Sequence, residues 1–504
     1  MRRLIVICAM AMGLLLLPAP ALAHEGRGGD EPSATRGSTV AERGAGTEMS
    51  PVANLQYDSS GAAQSGSDIE FLKAGEREYA LAGTLRKGMQ IIDITEPAAP
   101  RIAAVYDCKV TQGDIQVWKN GTRVLASYTA DGTFGASGAD SRCARDLGLD
   151  ANASGTVIVD LTKPTAPETV SFVPVPRGSH NMTIHPSGKY LYNSNSDLLT
   201  STEPTITIYD VSVPKSPRKV QDFPIPYTPA SLGSESHDIT FNASGTRAYS
   251  AALSQTLVLD TTNPEQPKQI AKIVDPAVNV SHQSDPVTLT RADGSKRDIL
   301  VVTDERAGAA GSAECPGGGL HVYDITGGLE RSPKKLGAWF IPVVKPQDGT
   351  TCTSHVLRIY PDQKMLTIAW YGQGVRVLDI SGLAEVTGSP ATTAIGDGVG
   401  MREIGNYVFP DSDTWSFKTN RMAADGSFYG YGNDLTRGLD VYRFSGAGVS
   451  VPPLEPTDMT ARGRDGAEAS ASGSHFGLGP VAASGLLAVP ALLAVGSLRR
   501  RKRS

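Results

Sequence analysis

The sequence predicts an all-β protein, a seven-bladed β-propeller of four-stranded antiparallel blades. Three observations carry this expectation. A strand pattern G-h-x-h-h-D-h-[ST], with h apolar, recurs at Gly88–Thr95, Gly155–Thr162, Thr205–Ser212, Gln255–Thr261, Gly319–Thr326, Gly374–Ser381 and Gly438–Ser445. Most copies follow two short apolar runs joined by a hairpin-type turn, such as Pro186-Ser187-Gly188 or Asn242-Ala243-Ser244-Gly245. Several copies lead through a proline-punctuated turn into a fourth run, such as Lys219–Phe223 or Gln269–Val274. Four short strands per period of roughly 50 residues is the pattern of a propeller blade, and such units need one another to bury their faces. An open β-solenoid would call for more even spacing than the 50 to 67 residues between successive copies. The composition agrees: of 504 residues, 54 are Gly and 33 Pro, and 6% are aromatic, which favours many turns over long helices.

In chain order, residues 1–23 read as a secretory signal. Arg2 and Arg3 precede the apolar run Leu4–Leu17, and Ala21-Leu22-Ala23 offers a small-residue cleavage site between Ala23 and His24. Residues 24–51 are rich in Gly, Ser, Glu and Arg and read as a flexible linker. A lone strand near Val52–Tyr57 opens the propeller, expected over 52–445. The seventh cycle has no convincing fourth strand, so the N-terminal strand is expected to fill that place and latch the ring, hiding two sheet edges. Residues 446–475 read as a disordered stalk. Residues 476–498 form an apolar, charge-free run of transmembrane length, and 499–504 begin with Arg499-Arg500-Arg501-Lys502-Arg503. That basic cluster places the tail in the cytoplasm and the propeller outside, on a single C-terminal helix. The expected location is therefore the cell membrane, single-pass.

The marker strands QIIDITEPAAP (Gln90–Pro100), TVIVDLTKPTAP (Thr156–Pro167) and ITIYDVSVPKSP (Ile206–Pro217) resemble the LVIVD repeat of secreted and surface bacterial β-propellers. The resemblance covers roughly residues 68–445. It implies the fold and the extracytoplasmic address, and no particular activity.

Four of the eight histidines share one repeat position, each preceded by serine: His180, His237, His282 and His355. Each opens the first strand of a cycle. In a propeller that strand lines the central channel, so the four imidazoles are expected to converge at its mouth. Neutral imidazole is a ligand for copper, zinc or iron. The alternative is a structural ring bonded to backbone or ordered water. The same place is taken by Gln112-Gly113-Asp114 in the second cycle and Trp415-Ser416 in the seventh. His185 and His321 fall outside the pattern and read as surface or packing residues.

Cys8 leaves with the signal. Cys108 and Cys352 lie just before first strands, and Cys143 and Cys315 lie in long insertions between second and third strands. Both kinds of connection emerge on one face. Bridges Cys108–Cys143 and Cys315–Cys352 therefore need no threading, and each would contribute about 2–4 kcal/mol. A thiolate metal site would need C-x-x-C spacing, which is absent. The recurrent aspartates (Asp93, Asp160, Asp210, Asp260, Asp324, Asp379) are expected to accept backbone N–H groups in the turns that follow them.

A net charge of −5 excludes a general nucleic-acid surface. No G-x-S-x-G elbow, H-E-x-x-H helix or Gly-rich phosphate loop is present. Two function classes remain. One is a binding or interaction module that holds a protein, glycan or small ligand on the disulfide-stapled face. The other is a metal-binding propeller, including an oxidoreductase, with one copper, zinc or iron ion on the histidine ring.

Overall fold

The structure, a computed structural model, describes residues 44–228, 231–306, 315–343 and 351–460. The expected signal, membrane span and basic tail lie outside them. Among the described residues no helix is long and apolar enough to cross a membrane.

Each blade is an antiparallel meander. Blade 1 runs Gly66–Ala74, Arg77–Thr84, Met89–Asp93, Arg101–Tyr106, and blade 2 runs Gln112–Asn120, Arg123–Thr133, Ser154–Asp160, Glu168–Pro174. Blade 3 is Asn181–Ile184, Tyr190–Ser194, Thr205–Asp210, Arg218–Pro224, and blade 4 is Asp238–Phe241, Arg247–Ala252, Gln255–Asp260, Lys268–Ile273. Blade 5 is Ser281–Thr290, Lys296–Asp304, Leu320–Asp324, Lys334–Phe340, and blade 6 is Leu357–Tyr360, Met365–Ala369, Val375–Asp379, Met401–Val408. Blade 7 takes Thr414–Lys418, Phe428–Asp434 and Gly438–Phe444 from the end of the chain and Met49–Leu55 from its beginning. First strands neighbour one another around the ring, and Thr414–Lys418 closes it onto Gly66–Ala74.

The apolar alternation of each strand is spent between blades. Trp118, Leu125 and Ile158 of blade 2, for example, pack on Met182, Leu191 and Tyr209 of blade 3. The marker aspartates close the turns as expected. Asp93, Asp160, Asp210, Asp260, Asp324 and Asp379 each accept the backbone N–H two residues on, at 2.8–3.1 Å.

The N-terminal strand does fill blade 7, in register from Met49 opposite Phe444 to Leu55 opposite Leu439. It starts earlier than the sequence suggests. Ala45–Thr47, inside the expected linker, pairs with the outer strand of blade 6. Gly-rich composition hid this pairing, because an edge strand needs backbone partners more than apolar side chains. The expected stalk is likewise ordered as far as Thr460. Leu454 pairs with Met422, and the Met459 N–H reaches the Lys73 carbonyl. Val449, Val451 and Leu454 pack on the blade 6–7 core, and Met459 packs on that of blades 1 and 2. Those four apolar residues, scattered among prolines and charges, anchor a strap across the turns that join first to second strands.

Because Met49–Leu55 is hydrogen-bonded into blade 7 while its chain runs on into blade 1, removing residues 44–55 is expected to lower the melting temperature by on the order of 10 °C or more. It should also promote association through the bared Gly438–Phe444 edge. Calorimetry and light scattering measure both, and unchanged melting would contradict the clasp.

Candidate metal centre

The Ser-His dipeptides are built by the repeat. His180, His237 and His355 each donate their backbone N–H to the second strand of their own blade, at Ser194, Ala251 and Ala369. The serine before each histidine bonds to the preceding blade. Ser179 Oγ accepts from Thr156, Ser236 Oγ meets Ser194, Ser281 Oγ meets Thr256, and Ser354 Oγ donates to the Gly319 carbonyl. Serine thus fixes one blade against the last, and the following histidine is turned to the axis.

Four imidazoles form an arc around the channel mouth. Ring centroids are 4.4 Å apart for His180 and His237, 4.3 Å for His237 and His282, and 4.2 Å for His282 and His355. Their Nε2 atoms face inward. His180 Nε2 lies 3.1 Å from His237 Nε2. Glu305, just past the second strand of blade 5, puts Oε2 3.8 Å from His237 Nε2 and 3.7 Å from His282 Nε2, and Oε1 3.5 Å from His355 Nε2. Ligand atoms of His237, His282 and Glu305 all lie within 4.8 Å of one another. All five residues are at most 3% exposed.

Three of the four outer nitrogens have oxygen neighbours. His180 Nδ1 is 3.3 Å from Asp131 Oδ1, His282 Nδ1 is 3.4 Å from Thr303 Oγ1, and His355 Nδ1 is 2.6 Å from the Trp415 carbonyl. An imidazole that donates outward through Nδ1 presents the Nε2 lone pair inward, which is how ligating histidines are oriented. Tyr371 completes the wall. Its hydroxyl donates to Glu305 Oε1 at 2.7 Å, and its ring lies 4.6 Å from His355. Its φ of 42° is a left-handed backbone that tyrosine rarely adopts.

Burial holds His355 down to about 3, and burial together with the neighbouring imidazoles His180 and His355 holds His237 well below the usual range. Both are neutral, ligand-ready bases at physiological pH. In the metal-free protein this makes a stability signature. Unfolded imidazoles take up protons below about 6.5, whereas folded His355 does not until about 3. Stability is therefore full above about 6.5 and is lost as pH falls toward 3. Changing His355 to Gln is expected to flatten that slope, each pKa unit being worth about 1.4 kcal/mol. Thermal scans of chelator-treated protein from pH 7 to 4 measure it, and parallel slopes would contradict it.

Beneath the arc lies a cavity of about 100 Å³ lined by first strands, with His282 and His355 at its upper end. Lys418 Nζ bonds Asp68 at 2.7 Å and Glu70 at 2.8 Å, and Arg358 also pairs with Glu70. Burial and the nearby Asp68 raise Asp114 well above the usual carboxylate range, and burial with Asp285 raises Asp238 to about 8.

The structure brings together all four histidines of the Ser-His pattern. Gln112 and Trp415 occupy the matching starts in blades 2 and 7. His185 is a packing residue bonded to Ser187 and the Gly245 carbonyl, and His321 is 1% exposed in blade 5. His24 and His475 lie outside the described residues. The bridges Cys108–Cys143 and Cys315–Cys352 form as expected, both on the mouth face. The sequence places Asp304-Glu305-Arg306 and Trp370-Tyr371 in polar loops on the mouth face, as a location only, and assigns no role in the centre to Glu305, Tyr371 or Asp131. The signal for Glu305 was the abrupt charge run Asp304-Glu305-Arg306 ending a buried strand, which reads equally as a polar loop.

No protein-family model matches the chain, and no curated protein matches its sequence. Similar solved structures include a periplasmic gluconolactonase of Pseudomonas aeruginosa, at 12% identity and a TM-score of 0.47 over 78% of this chain and 97% of that one. Another is a protein from Lactobacillus plantarum, at 10% identity and a TM-score of 0.47 over 75% and 97%. A hypothetical selenium-binding protein from Sulfolobus tokodaii is 14% identical over 52% and 63%, with a TM-score of 0.35. Likenesses this distant say nothing of activity. Strand pairing alone establishes the chain as a seven-bladed β-propeller of four-stranded antiparallel blades, clasped by its N-terminal strand.

Proposed function

We propose that this protein is a metal-binding propeller whose centre holds one copper, zinc or iron ion between His180, His237, His282, His355 and Glu305. The observation that carries the reading is the convergence of the His237, His282 and His355 Nε2 atoms on the buried Glu305 carboxylate, with His180 Nε2 beside that of His237. With metal–nitrogen bonds of about 2.0–2.1 Å, two neighbouring ligands on one ion stand roughly 2.9–3.4 Å apart. The 3.1 Å between His180 Nε2 and His237 Nε2 falls in that span. Imidazole suits copper, zinc and iron alike, and the absence of thiolate from the ligand set separates it from cysteine-rich structural zinc sites. An ion there would supply Lewis-acid or redox chemistry, so oxidoreductase activity is the form of catalysis to screen. The chain's own residues would orient the ligands: Asp131, Thr303 and the Trp415 carbonyl hold outer nitrogens, and Tyr371 holds Glu305.

The same proposal places the propeller outside the cell on a C-terminal membrane helix, among proteins of the LVIVD type. It draws on the signal and span patterns, the marker strands, and two disulfides suited to an oxidising compartment. A second reading, a module that binds a protein, glycan or small molecule, is favoured by the stapled loops on the mouth face.

Elemental analysis of the protein purified without a histidine-rich tag tests the metal reading. About one equivalent of copper, zinc or iron is expected. No metal above background after incubation with excess of each ion would overturn it and leave the binding module.

A further inference from the structure

Glu305 is the member of the centre that no Ser-His repeat supports. Its two chain neighbours are held instead by Thr351–Ser354, the segment that leads into His355. Thr353 Oγ1 donates to the Asp304 carbonyl at 2.8 Å and accepts the Arg306 N–H at 2.9 Å, so one hydroxyl braces Glu305 from both sides. Ser354 Oγ also donates to the Asp304 carbonyl, at 3.0 Å. The Thr351 carbonyl accepts the Gly372 N–H at 2.9 Å, next to Tyr371, whose hydroxyl holds Glu305 Oε1. Residues 351–354 are at most 1% exposed.

The Cys315–Cys352 bridge fastens this segment. Cys352 lies between Thr351 and Thr353, and Cys315 stands just before Gly318, whose carbonyl accepts the Ser354 N–H and whose backbone pairs in parallel with Thr353. The approach is close: a side chain at Gly318 would collide with the Asp304 carbonyl and with Thr353 Oγ1. The disulfide therefore ties together the chain around Glu305, the chain into His355 and the turn that carries Tyr371. The two bridges of the protein differ in access. Cys108–Cys143 packs in the apolar core of blades 1 and 2 with both residues 0% exposed. In the other bridge Cys352 is equally buried, but Cys315 is only half-buried. Thiol–disulfide exchange depends on access to the sulfur that is attacked, which favours Cys315.

We propose that the Cys315–Cys352 bridge is a thiol-sensitive latch on the metal centre: closed, it holds Glu305, His355 and Tyr371 in place, and reduced by a small thiol it loosens the centre's grip on the ion. This rests on the metal reading of the centre. A thiolate attacks Sγ of Cys315, a mixed disulfide forms there, and Cys352 leaves as a thiolate that takes up a proton. A second thiol attacks the mixed disulfide, so that Cys315 leaves as a thiol and the two reagent sulfurs are joined as a disulfide. The protein gains two electrons and two protons, the thiol reagent is oxidised, and Thr351–Ser354 loses its fastening beside Glu305. Groups that orient metal ligands from behind typically carry about 10–100-fold in affinity.

The test has two parts. Metal-free, full-length protein is treated with dithiothreitol, alkylated with iodoacetamide at intervals and mapped by peptide mass. Cys315 and Cys352 are expected to be alkylated while Cys108–Cys143 is still intact. Cu²⁺ affinity is then measured by competition with a chelator. The Cys315→Ala, Cys352→Ala double variant is expected to bind Cu²⁺ at least about 10-fold more weakly than the parent. Thr353→Val, which keeps the bridge and drops both bonds beside Glu305, is expected to shift the same way, and Thr353→Ser to keep the parental value. Parental affinity in the double variant, or earlier reduction of Cys108–Cys143, would overturn the latch while leaving the metal centre intact. Weak binding in the double variant with parental affinity in Thr353→Val would assign the bridge to overall stability and overturn the latch as well. If the double variant does not fold, the Thr353 pair and the selectively alkylated protein decide by the same criteria. Failure of the parent itself to take up copper, zinc or iron would overturn the metal reading and this inference with it.

Discussion

Replacing His237 with alanine is expected to abolish stoichiometric metal binding. His237 stands at the middle of the arc, between the rings of His180 and His282, with Nε2 3.1 Å from His180 Nε2 and 3.8 Å from Glu305 Oε2. It touches three members of the centre, His180, His282 and Glu305. Losing an outer partner of a metal ligand typically costs 10–100-fold in affinity. Losing this inner ligand is expected to cost at least about 100-fold, taking occupancy after dialysis from about one equivalent to below about 0.1. The control is His185→Ala. That histidine is buried on the turn side and bonded to Ser187 and the Gly245 carbonyl, so its loss should leave occupancy unchanged. Equal metal content in both variants would mean that the arc is a structural ring.

Replacing Lys418 with methionine is expected to produce the largest loss of stability of any single change in the channel. The ammonium is 6% exposed and bonded to both Asp68 and Glu70. Truncating one partner of a buried ion pair strands the other and costs about 3–5 kcal/mol. Two carboxylates are stranded here, with Arg358 left to serve Glu70 alone. Denaturant unfolding measures the loss. Adding Asp68→Asn and Glu70→Gln to Lys418→Met should recover most of it, because the uncompensated charges are gone. A loss below about 1 kcal/mol would mean that water screens the channel as it does a surface pair.

The fold was legible because a propeller repeats its instructions. The apolar run ending in Asp160 or Asp210 marks a third strand each time, and the carboxylate closes the next turn in the structure as that spacing implies. The disulfide pairs were legible for the same topological reason: insertions after second strands and segments before first strands share a face. The histidine arc was legible because it, too, is a repeat, one ring per blade at one register. What repeats least was read least well. Glu305 belongs to blade 5 alone, and its place between three imidazoles follows from where the strand Lys296–Asp304 ends in space. Ala45–Thr47 carries almost no apolar signal, since its partner offers it backbone rather than a core. The strap through Leu454 and Met459 is held by single apolar residues in a polar, proline-rich run, and periodicity has nothing to register there.

The anchoring of the arc also explains why the serine matters as much as the histidine. Ser179, Ser236, Ser281 and Ser354 tie each blade to its predecessor, so the angle between blades and the inward aim of the rings are set together. A centre assembled from four blades is thus as rigid as the ring itself, and its geometry can be tested directly.

The most direct test is anomalous diffraction from crystals of the protein soaked with copper, zinc or iron, recorded on either side of the metal's absorption edge. One peak on the channel axis, within bonding distance of His237 Nε2, His282 Nε2 and a Glu305 oxygen, is the expected result. No peak there, or peaks only at surface histidines and carboxylates, would contradict the account and leave the arc as a hydrogen-bonded clasp of the ring.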